Sequence, residues 1–303
     1  MSQMPPSPRR RRDYLLLWAK GVGVGSAIVV PGVSGGTIAL VTGIYDELIE
    51  SIRTFGRPAF LGALMRFRVR DACTHLNGRF LLAVGLGVLG AAFTLARVIA
   101  WLLTHQPISV WSFFGGLILA SVIPVGRRVK RRRASVLGPL LIGLVGAYLL
   151  VGVVPAVTPH TLPFIFLSGF ISTCAMLLPG ISGALVLILL GKYEFMLRAL
   201  SQRDWLVLGV FALGAVVAGV SFAQLLGWLL RRYHDVTIAL LTGIMLGSLR
   251  SVWPFKSVDG LENVVPPLFT PAGLNVNVVY AALMALLGVA LVLLLDHVSR
   301  RVR

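Results

Sequence analysis

Two short segments carry residue types that could do chemistry: Pro-Gly-Val-Ser-Gly-Gly-Thr from Pro31 to Thr37, and Pro-Gly-Ile-Ser-Gly from Pro179 to Gly183. Each lies inside an apolar run, where proline and glycine break a helix. A helix interrupted at membrane depth presents unpaired backbone amides, and glycine lets an anion approach them without a side-chain clash. Ser34, Gly35, Gly36 and Thr37 in the first segment, with Ser182 and Gly183 in the second, are therefore the candidate ligands of a phosphate or carboxylate. The bland reading is that the glycines only allow helices to pack closely. Neither segment is a nucleotide loop, because no Gly-Lys-Ser/Thr follows.

The segments are copies of one another. The stretch from Val29 to Ile49 aligns without gaps on the stretch from Leu177 to Leu197, at an offset of 148 residues. Identities fall at Pro31/Pro179, Gly32/Gly180, Ser34/Ser182, Gly35/Gly183, Gly43/Gly191 and Tyr45/Tyr193, and Asp46 meets Glu194. A weaker echo pairs GLILAS from Gly116 with GIMLGS from Gly243. An ordered match of this kind points to internal duplication.

Two arginines join the candidate phosphate ligands. Arg97 lies within the apolar run from Phe80 to His105, where a charge is costly and turns either to a cavity or, by snorkelling, to the interface. Arg250 stands near the outer end of a later run. Asp46, Glu47 and Glu194 follow the breaks and are candidates for coupling to a proton or cation, or are simply solvated helix ends. The five histidines share no spacing, and no Cys/His or acidic pair has metal-ligand spacing. No cofactor or metal is expected. Cys73 and Cys174 read as small apolar packers.

The elements that hold these residues follow from composition. Of 303 residues 57% are hydrophobic and 13% charged, with a mean hydropathy of +0.88. This excludes a soluble domain. Runs that are apolar all round, such as that from Trp205 to Leu230, exclude an alternating barrel pattern. The net charge of +17 reads as a topology signal and headgroup attractant, since no nucleic-acid motif accompanies it.

The reading is an all-α polytopic membrane protein of two inverted-topology repeats, each a broken or re-entrant helical hairpin followed by three transmembrane helices. Residues 1–13 form a basic cytoplasmic N-terminus. Repeat 1 covers 14–154, with a hairpin at 14–50 and spans at 80–105, 108–125 and 134–154. Repeat 2 covers 164–295, with a hairpin at 164–197 and spans at 205–230, 237–252 and 276–295. Residues 296–303 form a basic tail. From Tyr14 to Val30 the chain reaches only about 25 Å of a roughly 30 Å hydrocarbon core, too short for a comfortable crossing. An odd number of crossings between the hairpins inverts the second repeat. With both termini inside, 21 of the 28 basic residues fall on the cytoplasmic side, as the positive-inside rule requires. Lys192, Arg198 and Arg203 then fall outside, placed to recruit an anion.

The doubled motif, with PGVSGGTIAL…GIYDELI, CAMLLPGISGALVLILLGKYEFML, GLILAS and GIMLGS, resembles the bacterial polyprenyl-phosphate transporter family, PopT, over nearly the whole chain. The resemblance implies an inner-membrane protein that returns undecaprenyl phosphate from the outer to the inner leaflet for cell-envelope synthesis, with this lipid and the surrounding membrane lipids as its partners. It implies a phosphate site at the two serine-glycine breaks. Relatives often carry Asp or Asn three residues before the first motif's proline; this chain has Ile28, which argues against a carboxylate there. The alternatives are a transporter of a soluble anion or ion, and an integral-membrane lipid phosphatase. The phosphatase would need a nucleophile with paired arginines or a metal-binding acidic pair.

Overall fold

The computed structural model describes residues 9–301 except Pro31 and positions 67, 69–75, 130–133, 154, 156–157, 258–262 and 271–272. Cys73 is outside the described residues; Cys174 is a free, partly exposed thiol.

Both motif segments interrupt a helix. α1 (Arg11–Val29) stops before the first, and α2 (Gly35–Val41) begins inside it. α8 (Leu162–Leu177) and α9 (Gly183–Leu189) repeat the arrangement. The reversals need left-handed backbone, with φ at +82° for Gly32 and +97° for Gly180, a region that favours glycine. A second glycine reversal leads from α2 into α3 (Tyr45–Thr54) and from α9 into α10 (Tyr193–Gln202).

Among the described residues the remaining helices are α4 (Pro58–Met65), α5 (Gly78–His105), α6 (Pro107–Gly126), α7 (Ala134–Val151), α11 (Trp205–Arg232), α12 (His234–Ser248) and α13 (Val276–Arg301). A two-residue ribbon, β1 (Phe269–Thr270) against β2 (Gly273–Leu274), lies before α13. Among the described residues four helices, α5, α6, α11 and α13, are long and apolar enough to cross a membrane, and the protein is a multi-pass membrane protein. The span expected at 237–252 is a helix of only 15 residues, displaced toward the N-terminus. It ends where the Ser248 and Ser251 hydroxyls take up the carbonyls of Met245 and Ser248. α4 lies between the hairpin expected at 14–50 and the span expected at 80–105, where the sequence assigns no element, and α13 continues through Arg301 in place of a separate tail.

The bundle is built from four helix pairs: α1 with α5, α8 with α11, α6 with α13, and α7 with α12. Each pair closes on reciprocal glycines. A Cβ on Gly21 would stand 2.3 Å from the Val84 carbonyl oxygen, and one on Gly87 2.2 Å from that of Trp18. The same relation joins Gly169 and Gly214 to Phe211 and Phe166, Gly116 and Gly288 to Ala285 and Phe113, and Gly143 and Gly243 to Leu240 and Leu140. Any side chain at these positions would separate the backbones, so the glycines set the interhelix distance. Exchanging the two halves maps the first pair on the second and the third on the fourth. α12 lies deepest, with Ile238, Leu241 and Met245 buried, whereas α5, α11 and α13 turn large apolar side chains such as Phe93, Leu213 and Leu286 outward.

Candidate functional site

The two breaks meet tip to tip. The Ser34 hydroxyl donates to the Leu178 carbonyl at 3.0 Å, and the Tyr45 hydroxyl donates to that of Leu177 at 2.7 Å. The Gly180 amide donates in return to the Thr37 hydroxyl at 2.9 Å. From α12's end the Ser251 hydroxyl donates to the Gly32 carbonyl at 3.2 Å. The Leu177, Leu178 and Gly32 carbonyls and the Gly180 amide, freed by the helix breaks, are thus satisfied at the junction.

Each motif glycine is set against protein. A Cβ on Gly35 would meet Ile28 at 2.7 Å, one on Gly183 would meet the Ser172 carbonyl oxygen at 2.9 Å, and one on Gly180 would meet Met245 Cα and Ser248 Oγ at 2.9 Å. Gly36 is less confined, 3.2 Å from Ser34 Oγ by the same measure. Ser182 is buried, and among the described residues its hydroxyl makes no hydrogen bond. The structure therefore brings Ser34, Gly35, Gly36, Thr37, Ser182 and Gly183 to one junction and adds Tyr45 and Ser251. The identity of Tyr45 with Tyr193 was the sequence signal for the first; Ser251 had none.

Both hairpins are closed at their open ends. At the first, Arg9 pairs with Glu47 through two hydrogen bonds of 2.8 and 2.7 Å, and Asn77 donates to the same carboxylate at 2.7 Å. Within that hairpin, Lys20 Nζ reaches from α1 to the Thr42 carbonyl at 2.8 Å. At the second, Lys192 Nζ donates to the carbonyls of Thr158 (2.6 Å) and Pro159 (2.8 Å) and contacts His160 Nδ1 at 3.0 Å. An ammonium has three protons, and these three acceptors take them all. Lys192 is only 1% exposed, which corrects the expectation that it recruits anions from outside. Arg198 does face outward and, with His160, Phe195, Gln202 and Asp204, lines a cleft of about 300 Å³.

The other candidates stand apart from the junction. Arg97 is exposed on α5. Arg250 donates to the Tyr148 carbonyl at the end of α7 at 3.1 Å and lies over the Tyr148 ring at 4.5 Å. Asp46 pairs with Arg128 at 2.9 Å. Glu194 is exposed at the start of α10.

The open ends lie at opposite ends of α11. Near its C-terminus, Gln224 and Arg231 bond to Arg53 and Glu50 of α3. Near its N-terminus, Val207 packs with Ile165 of α8 and Ala199 of α10.

Comparison with known proteins places the chain among relatives of membrane transporters. The chain is 44% identical over 244 residues to a polyprenyl-phosphate transporter of Vibrio cholerae, covering 80% of this chain and 79% of the relative. It is 28% identical over 254 residues to a polyprenyl-phosphate transporter of Staphylococcus aureus, covering 78% and 84%. No solved structure gives a significant match. The model of the VCA0040-like, undecaprenyl phosphate translocase-like family matches residues 24–264, and the chain belongs to that family.

Proposed function

We propose that this protein carries undecaprenyl phosphate from the outer to the inner leaflet of the bacterial cytoplasmic membrane, as a transporter and not an enzyme. The observation that carries the reading is the junction: two helix breaks, entering from opposite ends of α11, meet through hydroxyl donors aimed at carbonyls. The family match and the names of the relatives supply the lipid.

In this reading the two halves are inverted-topology repeats related by an axis in the membrane plane, and the hairpins are re-entrant. The exchange of helix pairs between halves supports it, as do the hairpin mouths at the two ends of α11. Both termini lie in the cytoplasm, because Arg9, Arg53, Arg57, Arg128 and Arg231 gather on Asp46, Glu47 and Glu50 at the first hairpin's end of the bundle, and basic residues mark the cytoplasmic side.

The phosphate enters between the tips. Its oxygens are stronger acceptors than amide carbonyls, so Ser34 and Tyr45 turn their protons from Leu178 and Leu177 to the ligand. Thr37 and Ser182 add hydroxyls, and Gly36 leaves room. Breaking the inter-hairpin bonds loosens one hairpin from the other, which couples binding to opening. The prenyl tail stays in lipid beside the bundle.

The experiment is transport of labelled undecaprenyl phosphate between leaflets of liposomes holding the purified protein. Movement above protein-free liposomes, lost in a Ser34→Ala, Tyr45→Phe double variant that inserts normally, is the expected result. No movement by the unaltered protein would overturn the reading.

A further inference from the structure

Three arginines converge on one carboxylate where α3 meets the end of α11. Glu50 Oε2 takes Arg53 Nη1 at 2.6 Å and Arg231 Nη1 at 3.4 Å, and Glu50 Oε1 takes Arg57 Nη2. One negative charge faces three positive ones, so the cluster keeps two positive charges in excess. Arg53 is the fixed member, only 7% exposed. Gln224 holds it twice, accepting from Arg53 Nε at 3.2 Å and donating to its carbonyl at 2.8 Å. The side chain crosses Gly227, where a Cβ would lie 2.2 Å from Arg53 Cδ. Arg57 and Arg231 are about half exposed.

The depth is also marked. Trp228 and Tyr233, both half exposed, meet edge to face at 5.6 Å on either side of Arg231 in sequence. Such aromatics mark the boundary between hydrocarbon and headgroups. A guanidinium cluster at that level matches the phosphate of a lipid, which arginine forks bind in pairs of hydrogen bonds.

We infer that Arg53, Arg57 and Arg231 form a second anion site, for a lipid phosphomonoester at the membrane boundary, and that Glu50 is the internal anion that the lipid phosphate displaces. This rests on the transporter reading for the identity of the lipid and for the leaflet: it is where the headgroup is delivered after leaving the junction. Glu50 then has two effects. It keeps the arginines from holding the phosphate too tightly, and it reclaims them when the lipid departs.

The test uses the full-length protein in phosphatidylcholine nanodiscs with photoreactive farnesyl phosphate, read by the labelling of peptides from the end of α3 and from residues 228–233. Glu50→Gln removes the competing charge and raises this labelling about 3- to 10-fold. Arg57→Gln with Arg231→Gln lowers it at least 10-fold, and Arg57→Lys lowers it less. A purely structural clamp predicts the reverse for Glu50→Gln, so unchanged or reduced labelling in a protein that melts like the parent overturns the inference. If Glu50→Gln fails to fold, the double arginine variant decides, and undiminished labelling overturns the inference. Displacement by an equal concentration of phosphatidylglycerol would assign the site to resident phospholipid and overturn its assignment to the cargo; resistance to a tenfold excess supports it. Transport by the unaltered protein without labelling at this site sinks this inference alone. Absence of transport sinks the transporter reading, and the labelling still tests the anion site.

Discussion

The Tyr45 hydroxyl and the Leu177 carbonyl, 132 residues apart in sequence, lie 2.7 Å apart across the junction of the two hairpins. Tyr45 is 1% exposed, so its hydroxyl has no water to fall back on. The bond joins the start of α3, beyond the short helix that follows the first break, to the last turn of α8 before the second. It holds together two segments that have no covalent reason to stay in register.

Tyr45→Phe isolates that bond. The ring still fills its place, but the Leu177 carbonyl loses this donor, at a cost of about 1–3 kcal/mol for a buried group left unpaired. The thermal midpoint in micelles should fall accordingly, and leaflet exchange of undecaprenyl phosphate should slow. A variant that melts and transports like the parent would show that the tips are held by other contacts.

Gly180→Ala tests the reversal itself. At a φ of +97° an L-residue is strained, by roughly 1–2 kcal/mol for left-handed backbone alone, and the new Cβ would also press on Met245 and Ser248. The variant should express poorly or lose transport. Gly85→Ala is the matched control, since Gly85 on α5 has nothing within 4 Å of its Cβ position. It should insert and transport normally.

The mouth of the second hairpin should respond to acid. Partial loss of solvent around the imidazole, then the charges of Lys192 and Arg198, hold His160 below its ordinary value of about 6.5, although the residue as a whole is exposed. The folded state therefore favours neutral His160, whose Nδ1 accepts from Lys192. A depressed base contributes stability above the unfolded value, and this is lost as pH falls below it toward the folded value. Hydrogen exchange at 158–160 and at the start of α10 should accelerate from pH 6.5 to 5. In His160→Gln, which cannot titrate, that acceleration should disappear.

Much of this was legible in local sequence. The helix breaks could be read because proline and glycine act within a turn or two, and the apolar runs that became α5, α6, α11 and α13 announce themselves by length. Reciprocal glycines could not be read, because Gly116 finds its partner only after the chain returns 172 residues later at Gly288. Lys20 and Lys192 illustrate the limit from the other side. A lysine in or beside an apolar run looks like an exposed charge, yet Lys20 is spent on the carbonyl that ends α2 and Lys192 on two carbonyls of the segment before α8. Ser34 and Thr37 were legible as donors and acceptors, but not that their partners would come from the other hairpin.

Arg97 gives the sharpest contrast between sequence position and place in the bundle. A charge at the centre of a span costs about 2.5–3.5 kcal/mol on insertion scales, which made it a candidate ligand for the phosphate. On α5 it is exposed, one turn from the outward-facing Phe93 and one turn from Trp101. His105, the last residue of the helix, stands eight positions further on, about 12 Å along the axis. A long side chain can lift its charge over much of that distance to the boundary. Arginine's planar fork has no role in such a position, and lysine snorkels as well. Arg97→Lys should therefore bind prenyl phosphate and move it between leaflets as the parent does, while Arg97→Ala should change insertion or tilt slightly and transport little. If Arg97→Lys instead loses a large part of headgroup binding in a protein that inserts normally, the guanidinium reaches the phosphate during the cycle, and α5 must turn to bring it there.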